Sequence, residues 1–184
     1  MKRDVFFLLI MIAGASVVVL PSCTRKKDRV KEYIETINAE HQRVADGLDA
    51  LERSLEQYIP EDMDRSYQAA MDQLDSSALV IAQLEVLKGE EDLRDDAVML
   101  FDTYRMLLSN EYSEIIRLQK KPAGTFTYQD QFYVENLGKF ITNHRRKAKE
   151  KFETEAALVL ERYKVPFSPV IAELDTVSSA RTTD

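Results

Sequence analysis

Residues 30–60, VKEYIETINAEHQRVADGLDALERSLEQYIP, hold the pattern from which the fold is read. Val30, Ile34, Ile37, His41, Val44, Leu48, Leu51, Leu55 and Tyr58 recur at alternating steps of four and three. That spacing is a heptad seam, one apolar stripe along a helix whose other faces are polar. It predicts a helix over about 27–59. Pro60 ends it, because a proline ring pushes the preceding residue, Ile59, out of the helical region. Pro60 also suits the first turn of a second helix, where Glu61, Asp62 and Asp64 meet the positive end of the dipole.

Three further segments carry the same kind of stripe. Met63, Tyr67, Ala70, Leu74, Ala78, Ile81 and Leu84 mark a second helix over about 61–88, with Lys88-Gly89 as its C-terminal cap. Leu93, Ala97, Leu100, Tyr104 and Leu107, then Tyr112, Ile115 and Leu118 after a shift of register near Leu108, mark a third to about Lys120. Pro122 and Gly124 break it. Thr127 with Asp130 resembles a capping box for a fourth helix over about 128–164. Its stripe reads Tyr133, Leu137, Phe140, His144, Ala148, Phe152, Ala156, Val159 and Tyr163. Four helices of compatible length joined by short connections predict an all-α fold, an antiparallel up-down-up-down four-helix bundle over residues 28–164. Residues 165–184, with Pro166, Pro169 and Ser178-Ser179, read as a flexible tail. Phe167, Val170, Ile171 and Leu174 offer an alternative in which it packs back on the bundle.

Composition agrees with long helices: five Gly, five Pro, no Trp and 31% charged residues. The chain holds 25 Lys+Arg against 32 Asp+Glu, a net charge of −7. This acidity argues against nucleic acid as a partner, because phosphate binding needs basic patches.

The N-terminus reads as an export signal. Lys2 and Arg3 form a positive n-region, and Val5 to Leu20 an apolar run. At 16 residues this run is shorter than the roughly 20 a spanning helix needs. Leu20-Pro21-Ser22-Cys23 follows and resembles the bacterial lipobox. The resemblance implies a signal peptide at 1–22, cleavage before Cys23 and lipid on that cysteine. Cys23 is the only cysteine in the chain, so an internal disulfide is excluded. Residues 23–27 form a short tether whose Arg25, Lys26 and Lys27 favour anionic headgroups. Thr24 differs from the aspartate that enterobacterial sorting uses for inner-membrane retention, so the resemblance implies the outer membrane, with the protein exported and facing periplasm or surface.

Tyr58-Ile59-Pro60-Glu61-Asp62-Met63-Asp64, Lys88-Gly89-Glu90-Glu91-Asp92-Leu93 and Glu111-Tyr112-Ser113-Glu114-Ile115-Ile116 also look similar to a family of small all-helical bacterial surface lipoproteins of unknown function. The similarity spans about 28–165. It implies fold and location and no catalytic residue.

Candidate chemistry is sparse. The two histidines, His41 and His144, both fall on expected stripes. At 1.5 Å per residue they lie ~20 and ~22 Å above the lower end. With Ser77 and Tyr104 (or Met106) they would form a buried polar layer, which is either structural or a small-ligand, metal or haem site. Against a metal stand the missing Glu-x-x-His, Cys-x-x-Cys-His and His-Glu-x-x-His patterns. Neither a cofactor nor a metal ligand set is expected, and no catalytic residue is assigned. Arg145, Arg146 and Lys149 belong to the one basic run. They offer an anionic-ligand face, or else a solvated face paired as Arg146 to Glu150 and Lys149 to Glu153. Tyr58, Tyr128, Tyr133 and Tyr163 sit near segment ends, to cap the bundle or to line a recognition surface. The expectation is therefore a non-enzymatic, membrane-anchored envelope lipoprotein that binds another envelope protein or itself. The alternative is a carrier using the His41/His144 layer.

Overall fold

A computed structural model describes residues 22–122 and 124–166, with side chains described from Lys26 onward. The expected signal peptide lies outside the described residues except for Ser22, as does the tail beyond residue 166 and the side chain of Cys23. Among the described residues the fold is all-helical, a bundle of α1 (Ser22–Gln57), α2 (Pro60–Gln83), α3 (Glu91–Leu107), a π-helical segment (Leu108–Tyr112), α4 (Ser113–Gln119) and α5 (Tyr128–Arg162). Helix α1 runs back across residues 23–27, so the stretch read as a tether has helical backbone.

Helix α1 buries its expected stripe from Val30 to Leu55. Burying each such aliphatic side chain contributes about 1.5–3 kcal/mol, and this stripe supplies much of the core. Tyr58 departs from the expectation: the helix ends at Gln57, and Tyr58 takes a left-handed φ of 57° and is exposed. Ile59 is extended and Pro60 opens α2, with Glu61 and Asp62 in its first turn. Helices α1 and α2 make the most extensive pairing in the bundle. Gly47 faces Ala70 across this pairing, where a Cβ built on the glycine would lie in ordinary contact, 3.6 Å from the Ala70 Cα.

Helix α2 ends at Gln83, five residues before the expected Lys88. Leu84 is extended, which carries the chain onward until Leu87 turns into the core. Lys88 and Gly89 then form the turn before α3, closed by the Glu90 N–H donating to the Leu87 carbonyl at 2.9 Å. Gly89 takes a φ of 86°, so the glycine serves this turn rather than the helix end.

The shift of register in the third stripe is the π segment. From Leu107 the stripe steps by five to Tyr112, and a single wide turn absorbs the extra residue so that both stay buried. Helix α5 starts on the expected capping box: the Thr127 hydroxyl accepts from the Asp130 N–H, and the Asp130 carboxylate accepts from the Thr127 N–H. Lys121 adds an ion pair to Asp130 at 2.7 Å. Together these contacts hold the Asp130 carboxyl down at about 2. Val165, read as the start of the tail, packs against the core.

Candidate functional site

The stripe of α5 is turned from the expected one in its first half. Tyr133 and Phe140 are exposed and His144 is only half-buried, whereas Val134, Leu137, Ile141 and Arg145 face inward. From Ala148 onward the expected Phe152, Ala156 and Val159 are buried. This one-residue error, about 100° of rotation, decides the site, because it exchanges His144 for Arg145.

The core carries a polar diagonal from α1 to the α3 side. His41 Nε2 and the Tyr104 hydroxyl share a hydrogen bond of 2.7 Å, with the rings stacked 5.8 Å apart. Eleven residues along α1, three turns and so the same face, Glu52 Oε1 accepts from the Tyr112 hydroxyl at 2.5 Å. On a regular helix Tyr112 would sit 80° away from Tyr104; the π segment brings it round. Arg145 closes this pair from α5. Its Nη1 donates to the same Glu52 oxygen at 2.8 Å and to the Tyr112 hydroxyl at 3.5 Å, and its Nη2 lies 3.5 Å from Asp49 Oδ1. Beside His41, buried Glu40 accepts from the Ser77 hydroxyl at 2.8 Å and pairs with Arg43 at 2.5 Å.

Electrostatics fix the protonation of these groups. Burial, with Lys149 and Arg145 facing it, lowers His41 to about 4, so the imidazole is neutral at neutral pH. Burial raises the Tyr104 phenol to about 12. Burial and the Glu52 charge push the Tyr112 phenol well above its ordinary value. Burial alone would lower Arg145, but Tyr112, Glu52, Tyr104 and Asp49 outweigh it and hold the guanidinium firmly charged. A general acid or base works best with a pKa near the operating pH, and the His41–Tyr104 pair sits far on either side of it. The diagonal is built to stay in one state.

Three of the four residues expected in a polar layer are assembled at this level: His41 on Tyr104, and Ser77 on the neighbouring Glu40. Met106, the alternative to Tyr104, is exposed. His144 is not brought to His41. Its Nδ1 donates to the Phe140 carbonyl at 2.9 Å and its ring stacks on Phe140 at 3.8 Å. The expected height was wrong as well as the register. Residue 128 lies at the end beside Pro60, where Lys120 meets Asp64 and Lys121 meets Asp130, as the expectation had it, but Arg145, next to His144, meets Asp49 and Glu52. That places His144 level with Asp49 and Glu52, roughly 12–17 Å along α1 from His41.

The expected anionic-ligand face is divided. Arg145 points inward to Glu52 and Asp49, Arg146 pairs with Glu150 at 2.8 Å, and Lys149 with Glu153 at 4.0 Å. The two i,i+4 pairs are the ones the spacing offered. Of the end tyrosines, Tyr58, Tyr128 and Tyr133 are exposed, while the Tyr163 hydroxyl donates to Glu90 at 2.8 Å. Glu90 is buried and also accepts from Arg162 at 2.5 Å, which clasps the start of α3 to the end of α5.

Glu40, Glu52, Asp49 and the role of Tyr112 were missed in the sequence. The signal for Arg145 was present: the steps Val134, Leu137, Ile141, Arg145, Ala148, Phe152 alternate three and four more evenly than the aromatic choice did. Among the described residues no group of three or more His, Cys, Asp or Glu side chains gathers as a metal set, and no helix is long and apolar enough to cross a membrane. Comparison with protein-family models, with curated proteins and with solved structures finds no match for this chain.

Proposed function

We propose that the chain is a bacterial envelope lipoprotein, exported, cut before Cys23 and held at a membrane by lipid on that cysteine. Its body is a non-enzymatic interaction or structural module. The observation that carries this reading is Leu20-Pro21-Ser22-Cys23 at the end of an apolar run behind Lys2 and Arg3. Thr24 favours the outer membrane.

An antiparallel up-down-up-down order is part of the proposal. Partner numbers support it by falling as α1 rises: Arg29 meets Glu85, Glu40 meets Ser77 and Gly47 meets Ala70. They fall likewise between α3 and α5, where Glu90 meets Arg162 and Asp96 meets Lys151. The interaction role draws its support from the polar diagonal, where His41 and Tyr104 bind each other and Tyr112 and Arg145 share Glu52. The partner is then an envelope protein or a second copy.

Growth with radiolabelled palmitate tests the anchor. Label is expected on the wild-type chain and absent from Cys23→Ala; label on both or on neither overturns the reading. Crosslinking in intact cells, wild type against Cys23→Ala, tests the partner, with one dominant envelope protein or a self-crosslink expected.

A further inference from the structure

The rotation of α5 leaves an unusual face on the solvent side. Phe132, Asn136, Phe140, Asn143 and Lys147 run along one line of the helix at steps of four, four, three and four. Lys139 and Arg146 flank it on one side, Tyr133 and half-buried His144 on the other, and the line itself lies across α5 from Ile141 and Phe152. Phe132 is 57% exposed, Tyr133 48% and Phe140 40%, and exposed Phe126 and Tyr128 extend the patch at the start of the helix. Residues 136–149, NLGKFITNHRRKAK, contain no Asp or Glu, in a chain whose net charge is −7. Arg146 shares its charge with Glu150, whereas Lys139 and Lys147 make no ion pair among the described residues.

From this we infer that the outer face of α5 around Phe132, Tyr133, Lys139, Phe140 and Lys147 docks on an anionic lipid surface. Charge complementarity selects the occupant. Between Glu135 and Glu150 the helix carries basic residues and no acid, and such a strip in an otherwise acidic protein attracts an anionic surface, while the remainder of the protein is repelled from it. Aromatic rings spaced along the same line suit the boundary between headgroups and acyl chains, with lysines reaching the headgroups. A protein partner is less well served, since a single convex helix flank offers no pocket for anchor residues to fill. The inference does not depend on lipid at Cys23. If Cys23 is lipidated as well, the body lies along the bilayer with α5 beneath it, because α5 neighbours α1.

The chain contains no tryptophan, so one introduced indole reports its own position. Phe132→Trp, Phe140→Trp and, on exposed α2, Leu79→Trp are each made in the full-length Cys23→Ala chain, so that residues 1–22 are common to all. Each is mixed with vesicles of phosphatidylglycerol or phosphatidylcholine carrying brominated acyl chains. The indoles at 132 and 140 are expected to shift to the blue and to be quenched with phosphatidylglycerol and little with phosphatidylcholine, while that at 79 is unaffected. Adding Lys139→Glu and Lys147→Glu is expected to weaken vesicle binding about tenfold or more, with helicity unchanged. Equal quenching at all three positions, or none at 132 and 140, overturns the proposal. So does shielding of these two indoles without vesicles that grows with protein concentration, which makes the face a self-association surface. Failure of the palmitate label at Cys23 would leave this result untouched.

Discussion

Helices α1 and α5 are nearly equal in length, 36 and 35 residues, yet they enter the core differently. Helix α1 has one stripe at strict heptad spacing and buries it from Val30 to Leu55. Helix α5 has two competing stripes in its first half, one aromatic through Tyr133 and Phe140, the other aliphatic through Val134, Leu137 and Ile141. The core takes the aliphatic one and Arg145 with it. Hydrophobic bulk alone therefore does not choose a register. The helix settles where a guanidinium can reach Glu52 and Asp49 and where the second half can bury Phe152, Ala156 and Val159.

The two phenylalanines of α5 give the largest contrast. Phe152 is 2% exposed, and Phe152→Ala is expected to cost about 3–5 kcal/mol of unfolding free energy. Phe140→Ala, on the outer face, is expected to cost less than about 1 kcal/mol. Urea unfolding measures both, and equal losses would break the distinction between inner and outer stripes. Next come the neighbouring arginines. Arg145→Ala leaves Glu52 and the Tyr112 hydroxyl without their cation and is expected to cost about 2–4 kcal/mol. Arg146→Ala removes an exposed i,i+4 pair and is expected to cost under about 0.5 kcal/mol.

Much of the fold is legible because its signals are local. Eight positions at unbroken heptad spacing, Val30 to Leu55, identify α1, Thr127 and Asp130 identify the cap of α5, and a five-residue step from Leu107 to Tyr112 marks the shift of register that the π turn makes. The end of α2 is not legible, because Leu84 and Leu87 fit a helical continuation as well as the extended link the chain adopts. The site is least legible. Glu40, Glu52 and Arg145 look like surface charges in sequence, and only the packing of the helices shows that Arg145 meets Glu52 while Ser77 and Arg43 meet Glu40. His41 and Tyr104 could be paired from their positions on strong stripes; His144, on the ambiguous helix, could not.

A smaller effect sharpens the polar diagonal itself. His41 has a folded pKa depressed to about 4 from an ordinary 6.5, so its contribution to stability is intact above pH 6.5 and is lost as the pH falls toward 4. The unfolded chain takes up the proton first. Between pH 7 and pH 4.5 the histidine is expected to account for about 2–3 kcal/mol of lost stability. His41→Gln should remove that part of the pH dependence when urea midpoints are compared at the two pH values. An unchanged slope would mean that the imidazole is not held neutral by its surroundings.

The central claim is the rotation of α5, and thiol accessibility tests it most directly. In a Cys23→Ala chain, cysteine is placed singly at Phe140, Ile141, His144 and Arg145, and its labelling by a maleimide is timed under native conditions. The account predicts fast labelling at 140, intermediate labelling at 144 and strong protection at 141 and 145. Protection at 140 and 144 with fast labelling at 141 and 145 would contradict it, and would return His144 to the core.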